Sequence, residues 1–204
     1  IARSAAELGI ESVAVFSEDD AASLHTRRAD HAVALKGRGT PAYLDIDQIV
    51  SVAVAQGCRA LHPGYGFLSE NAVFARRCME EGIIFVGPDL GTLELFGDKT
   101  LARNLAQQLG VPVLPGTGLA ATADEVKAFF SSLGEDAQIV IKAAHGGGGR
   151  GVRIADRLED IGDAYAGCRS EALAAFGNGN LFAERMIRPA RHIEVQIIGD
   201  GSGS

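Results

Sequence analysis

Ile139-Val140-Ile141-Lys142-Ala143-Ala144-His145-Gly146-Gly147-Gly148-Gly149-Arg150-Gly151 is the stretch from which the rest of this chain is read. It opens as a buried strand that delivers one lysine, Lys142, and then loses almost all its side chains. Val152-Arg153-Ile154 resumes as strand, so Gly151–Ala155 is expected to return antiparallel to Gln138–Ala143. Glycine lets backbone N–H groups approach a ligand and adopt positive φ. Successive free N–H groups form a concave anion site, and Lys142 with Arg150 adds positive charge for a polyphosphate. The opposing reading is a solvent-exposed loop between two strands. Adjacent glycines carry an ordering entropy that a plain hairpin does not need, which favours a phosphate-covering flap. A Walker A loop needs its lysine after the glycines and a helix beyond them, and a dinucleotide fingerprint also opens a helix. Here the lysine comes first and a strand follows, which disfavours both.

Upstream, short apolar strands alternate with helical runs. Strands are expected at Ser12–Phe16, His31–Leu35, Arg59–His62 and Ile83–Val86, with helices at Ile46–Gln56 and Asn71–Glu81. That alternation is the pattern of a parallel sheet with crossover helices. The chain opens on a helical run, Ile1–Leu8, so the first strand is expected to be missing and the chain to be a piece of a longer protein. Leu90–Phe96 and Asp98–Leu109 read as consecutive helices, and Val111–Gly118, with two prolines and two glycines, as a linker. A second unit follows: a helix at Ala123–Leu133, the strand pair around the glycine run, a long helix at Leu158–Phe176, and strands at Leu181–Glu184 and His192–Ile198. Asp200-Gly201 reads as a hairpin turn whose second strand is absent, again as expected of a truncated chain.

The 204 residues include 19 basic and 26 acidic, a net charge of -7, with 47% hydrophobic and 22% charged. Such a composition can bury a core and excludes general disorder. The acidic balance argues against a nucleic-acid partner, and no apolar run reaches the roughly 18 residues of a membrane span. Cys58, Cys78 and Cys168 have no metal-ligand or disulfide spacing and read as reduced, mostly buried residues of a cytosolic protein.

Strand, lysine, glycine run and strand together resemble the flap of ATP-grasp enzymes. Three further segments narrow the resemblance to biotin carboxylase domains: His62-Pro63-Gly64-Tyr65-Gly66-Phe67-Leu68-Ser69-Glu70-Asn71, Gly97-Asp98-Lys99, and Arg191-His192-Ile193-Glu194-Val195-Gln196. The resemblance covers essentially the whole chain. It implies an α/β fold: a truncated parallel-sheet pre-ATP-grasp domain at 1–87, a helical linker at 88–117, an ATP-grasp flap domain of α+β type at 118–187, and the start of the catalytic subdomain at 188–204.

The activity implied is ATP- and bicarbonate-dependent carboxylation of biotin through carboxyphosphate, in an acyl-CoA, pyruvate or urea carboxylase. By the same resemblance Lys99 and Lys142 contact ATP phosphates, and Gly148 and Gly149 cover them. Glu184-Arg185-Met186-Ile187 is then the hinge strand whose backbone reads adenine, and His192 lies near the nucleotide. Arg185 and Met186 depart from the residues often found there, which a backbone contact tolerates. His145 stands where relatives often begin the glycine run. ATP, Mg²⁺ or Mn²⁺ and biotin are the implied cofactors and substrates, with metal ligands and catalytic groups expected beyond Ser204, so the isolated chain is expected to be inactive. A biotin carboxyl carrier, a carboxyltransferase and a second copy of the full-length protein are the implied partners, in the cytoplasm or the mitochondrial matrix.

Outside that context the same residues have plainer readings. Lys99 is then a solvated lysine at a helix start, His192 a strand histidine and Glu184 an edge-strand charge. His62–Asn71 is then a glycine-rich turn capped into the next helix by Ser69. Two other functions remain open: another ATP-grasp ligase, such as a carbamoyl-phosphate or purine-pathway enzyme, and a non-catalytic nucleotide-responsive module.

Overall fold

The computed structural model describes residues 1–144, 151–191 and 193–199, apart from the side chains of residues 99 and 100. The chain divides into two units, Ile1–Ala102 and Arg103–Ser204.

The first unit runs α1 (Ala2–Glu7), β1 (Val13–Phe16), α2 (Leu24–Arg28), β2 (His31–Ala34), α3 (Thr40–Tyr43), α4 (Ile46–Ala55), β3 (Ala60–Leu61), α5 (Ala72–Glu80), β4 (Ile84–Phe85) and α6 (Leu90–Gly97). Its strands pair in parallel, as the alternation of strand and helix predicts. They form two separate two-stranded sheets, β1 with β2 and β3 with β4. Short helices α2 and α3 were not read from sequence, because neither is long enough to show a periodic apolar face.

Two helices supply the core for clear local reasons. The Asp45 carboxylate accepts the Gln48 amide and starts α4, which then buries Ile49, Val50 and Ala53 along one face. The Asn71 side chain accepts the Phe74 amide at 2.9 Å and starts α5, which buries Phe74, Ala75 and Cys78. Asn71 is therefore the cap, where Ser69 was expected. Ser69 lies two residues too early to reach the helix's first free amides. Phe74 meets Phe85 edge-on at 5.8 Å, and Leu35 and Ile83 close the cluster.

The turn before α5 has left-handed backbone at Gly64, Gly66 and Phe67, with φ of 77°, 68° and 45°. A phenylalanine rarely adopts such a φ. Here its ring stacks on Tyr43 at 5.9 Å, and Leu68 next to it is buried. Tyr43 also donates its hydroxyl to Asp20 at 2.7 Å and accepts the Ser17 amide, tying the turn's neighbour to the segment after β1.

Helix α7 (Lys99–Gln108) carries the chain across the division. The second unit contains α8 (Ala123–Ser132), β5 (Ile139–Ala143), β6 (Val152–Ala155), α9 (Ile161–Phe176) and β7 (Leu181–Arg185). The sheet order is β6-β5-β7, antiparallel throughout, with Lys142 opposite Val152 on one side and Phe182 on the other. Thr122 and Glu125 form a capping box at the start of α8. Leu158–Asp160 is a 3-10 turn that leads into α9, where a single helix was expected.

Ile139, Ile141 and Ala143 point to one face of β5 and are buried with Ile161, Cys168 and Ala172 of α9. Residues 140 and 142 point to the other face, since strand side chains alternate. The outer edge of β7 is not free. Thr117 donates to the Ala183 carbonyl at 2.8 Å, Arg185 to Pro115 at 2.9 Å, and Ala121 to Leu181 at 2.9 Å.

One expected strand does not form. Residues 193–199 carry neither helix nor strand. Ile193, Val195 and Ile197 alternate as a strand would, but all three are exposed and no partner strand pairs with them among the described residues. Alternation favours a strand only where a ladder partner and a core exist to receive it. The turn expected at Asp200-Gly201 lies outside the described residues. Among the described residues no helix is long and apolar enough to cross a membrane.

Candidate functional site

The sheet face away from α9 carries Val140, Lys142, Phe182 and Glu184 side by side. Antiparallel register makes Lys142 and Glu184 diagonal neighbours, because Lys142 pairs with Phe182 and Val140 with Glu184. The Lys142 ammonium donates to Glu184 Oε2 at 2.7 Å and lies 6.0 Å above the centre of the Phe182 ring. Its side chain is 35% exposed, so the lysine is not sealed from solvent.

Glu184 is 17% exposed and holds a second cation, since Arg103 Nη1 donates to its Oε1 at 3.0 Å. The other guanidinium nitrogen of Arg103, Nη2, donates to the Leu114 carbonyl. A carboxylate this far from water needs such partners. Glu184, Lys142 and Arg103 together carry one net positive charge on a partly buried surface.

Gly116 makes this arrangement possible. A Cβ there would lie 2.8 Å from the Ala183 carbonyl oxygen, 3.2 Å from Glu184 Cγ and 3.3 Å from Arg103 Nη2.

Beyond β7 the backbone changes its use. Arg185 and Met186 spend their amides on Pro115 and Gln138. Among the described residues, the Arg185 carbonyl and the Ile187 amide enter no hydrogen bond, and both residues are exposed.

Of the residues singled out in sequence, Lys142 and Glu184 meet directly; Arg185 ends β7, and Met186 and Ile187, expected in the same strand, follow it outside the strand. Lys99 is the first residue of α7, and its side chain lies outside the described ones. Gly148, Gly149 and His192 lie outside the described residues, as does His145. Arg103 was missed. Its signal was available: α7 reads KTLARNLAQQ, with no acidic residue for an arginine to pair with, which points to a tertiary partner.

Cys168 lies under the same sheet. Burial pushes its thiol up, and it donates to the Gly151 carbonyl at 3.1 Å, so it is a packed donor rather than a nucleophile. Among the described residues no group of three or more His, Cys, Asp and Glu can hold a metal ion. Glu184, the carboxylate beside Lys142, is already committed to two cations. Glu184 therefore offers no uncommitted carboxylate oxygen beside Lys142 for a divalent metal.

Residues 1–93 match the family model described as Biotin carboxylase, N-terminal domain, and residues 98–204 match that described as Carbamoyl-phosphate synthase L chain, ATP binding domain. The chain belongs to the biotin carboxylase family. The sequence is 48% identical over its whole length to a pyruvate carboxylase of Aspergillus terreus and to one of Bacillus subtilis. It spans only 17% and 18% of those proteins.

Among solved structures, it is similar to a Campylobacter jejuni biotin carboxylase β-γ-ATP complex. The TM-score is 0.85 at 36% identity, covering 92% of this chain and 42% of that one. It is also similar to the biotin carboxylase domain dimer of Hydrogenobacter thermophilus 2-oxoglutarate carboxylase, crystallised with MgADP, ADP and bicarbonate. There the TM-score is 0.80 at 39% identity, covering 90% of this chain and 40% of that one.

Proposed function

We propose that the protein carrying this chain uses ATP and bicarbonate to carboxylate biotin, through carboxyphosphate, and that this chain supplies elements that bind the nucleotide. The observation that carries the reading is Lys142, a partly exposed lysine on the face of β5 away from α9, four residues before Gly146 opens the glycine run. The family match supplies the context.

In this reading Lys142 opposes the charge that develops on phosphate oxygens as the β–γ bond breaks, and Lys99 takes the part of the first phosphate lysine. Gly148 and Gly149 belong to a flap that covers the phosphates and keeps water from a hydrolysable intermediate. The Arg185 carbonyl and the Ile187 amide form an acceptor and donor pair suited to the edge of adenine, which presents an amino donor and a ring-nitrogen acceptor. His192 stands near the nucleotide.

The domain limits proposed are 1–87, 88–117, 118–187 and 188–204. Partners in this reading are a biotin carboxyl carrier, a carboxyltransferase of a pyruvate, acyl-CoA or urea carboxylase, and a second copy of the protein. The compartment is the cytoplasm or the mitochondrial matrix, the latter because a mitochondrial pyruvate carboxylase of Mus musculus is 48% identical.

The test is ADP release by the full-length protein with MgATP and bicarbonate, with and without free biotin, beside Lys142→Ala. Biotin-stimulated turnover is expected, falling by about 100-fold or more in the variant, the scale of losing one group that stabilises transition-state charge. ATP turnover indifferent to biotin would replace this reading with another ATP-grasp ligase. That alternative draws on the second family model, whose description names carbamoyl-phosphate synthase. Nucleotide binding without turnover would replace it with a regulatory module.

A further inference from the structure

We infer that Arg103 is a positioning residue for Lys142, acting through Glu184 to keep the ammonium available to phosphate. The inference rests on the proposed nucleotide reading and goes beyond it, because Arg103 lies on α7, outside every segment that carries the resemblance.

Glu184 is the group that competes with any phosphate for Lys142, since its Oε2 already accepts from the ammonium at 2.7 Å. Alone, this pair would be neutral, and an incoming polyphosphate would have to displace a partly buried carboxylate from its only cation. Arg103 changes that balance. Its Nη1 holds Glu184 Oε1 at 3.0 Å, so the carboxylate keeps a charged partner when Lys142 turns to a ligand. The guanidinium is fixed in turn: Nη2 is spent on the Leu114 carbonyl, and its side chain is 22% exposed. Gly116 leaves the room, with only hydrogen where a Cβ would crowd both Arg103 Nη2 and Glu184 Cγ. Arginine suits the role better than lysine, because a planar fork can hold a carboxylate and a carbonyl together.

The site thus has a resting state in which Lys142 is parked on Glu184, and a loaded state in which Glu184 remains satisfied by Arg103. Removing Arg103 leaves the parked pair tighter and the surface less positive. The loss is specific to phosphate: adenosine, which carries none, has no reason to notice.

The experiment measures equilibrium binding of ADP and adenosine, together with kcat and KM for ATP, in the full-length protein. The variants are Arg103→Met, Arg103→Lys and the double variant Arg103→Met with Glu184→Gln. Arg103→Met is expected to weaken ADP binding and raise the ATP KM about tenfold, the size of one charge-assisted hydrogen bond, with adenosine binding unchanged and kcat changed less than KM. The double variant removes the competing carboxylate and is expected to recover most of the ADP affinity. Arg103→Lys should fall between wild type and Met.

If Arg103 merely pins the chain at Leu114, Glu184→Gln will not rescue, and adenosine and ADP will weaken together. Either result overturns the inference. A wild-type protein that binds neither ADP nor ATP overturns the nucleotide reading itself, which keeps the two failures distinct.

Discussion

Gly116→Ala is the substitution that most directly tests how the second unit is held. Gly116 does not have a left-handed backbone, so alanine is not excluded by its φ. What excludes it is space: the new Cβ would lie 2.8 Å from the Ala183 carbonyl oxygen, a backbone atom that cannot rotate away. The segment must move off β7.

Three hydrogen bonds span that edge around residue 116: Thr117 to the Ala183 carbonyl at 2.8 Å, Arg185 to the Pro115 carbonyl at 2.9 Å, and the Ala183 amide to the Thr117 hydroxyl at 2.9 Å. At about 1 kcal/mol each, their loss costs about 2–3 kcal/mol. A urea slope of about 1–3 kcal/mol/M turns this into a midpoint about 0.7–3 M lower. Gly118→Ala is the control, because no atom lies within 4 Å of its Cβ position, and it should stay within about 0.5 kcal/mol of wild type. Far-UV circular dichroism in urea reads the midpoints, and amide exchange at Thr117 and Arg185 reads the edge itself. Equal midpoints for the two variants, with both amides still protected, would mean that the segment does not rest on β7 as described.

In the first unit, Phe74 is 1% exposed and meets Phe85 edge-on, so Phe74→Ala should cost about 3–5 kcal/mol in urea unfolding. Tyr65, 95% exposed, should tolerate alanine within about 0.5 kcal/mol. The Tyr43 hydroxyl above all, and then those of Ser23 and Ser17, hold the Asp20 carboxyl below the usual carboxylate range. A depressed carboxyl contributes stability that is present above its unfolded pKa and lost as pH falls through its folded one. Asp20→Asn should therefore flatten the acid limb of stability below about pH 4, and an unchanged slope there would remove Asp20 from the account.

Burial pushes the Cys58, Cys78 and Cys168 thiols up, and only Cys58 is not fully buried. Iodoacetamide followed by peptide mass spectrometry should find Cys58 modified first and the other two only on unfolding. Early labelling of Cys168 would contradict the packing of α9 on β5.

Elements with their own core were readable in advance. Ile139, Ile141 and Ala143 alternate with Val140 and Lys142, and both neighbours of β5 are antiparallel strands of matching length. The helices α4, α5 and α8 announce themselves by a cap and an apolar face. Residues 193–198 have the alternation without a partner strand among the described residues, so the same rule misleads there. Glu184 was read as a place on a strand, and its two cations depend on contacts 42 and 81 residues away in sequence. No local pattern encodes separations of that kind. Arg103 left only a negative trace, the lack of an acidic residue on its own helix.

The turn from His62 to Asn71 has a practical consequence for anyone rearranging this protein. Two of its three left-handed positions are glycines, and the third is a phenylalanine held there by the ring of Tyr43. The spelling of this decapeptide is therefore enforced by backbone handedness as much as by any chemistry its side chains perform. Such a stretch travels as a block. A chimera that swaps all ten residues together with Tyr43 keeps the turn, whereas a crossover placed between Gly66 and Phe67 separates a strained conformation from the stacking partner that sustains it.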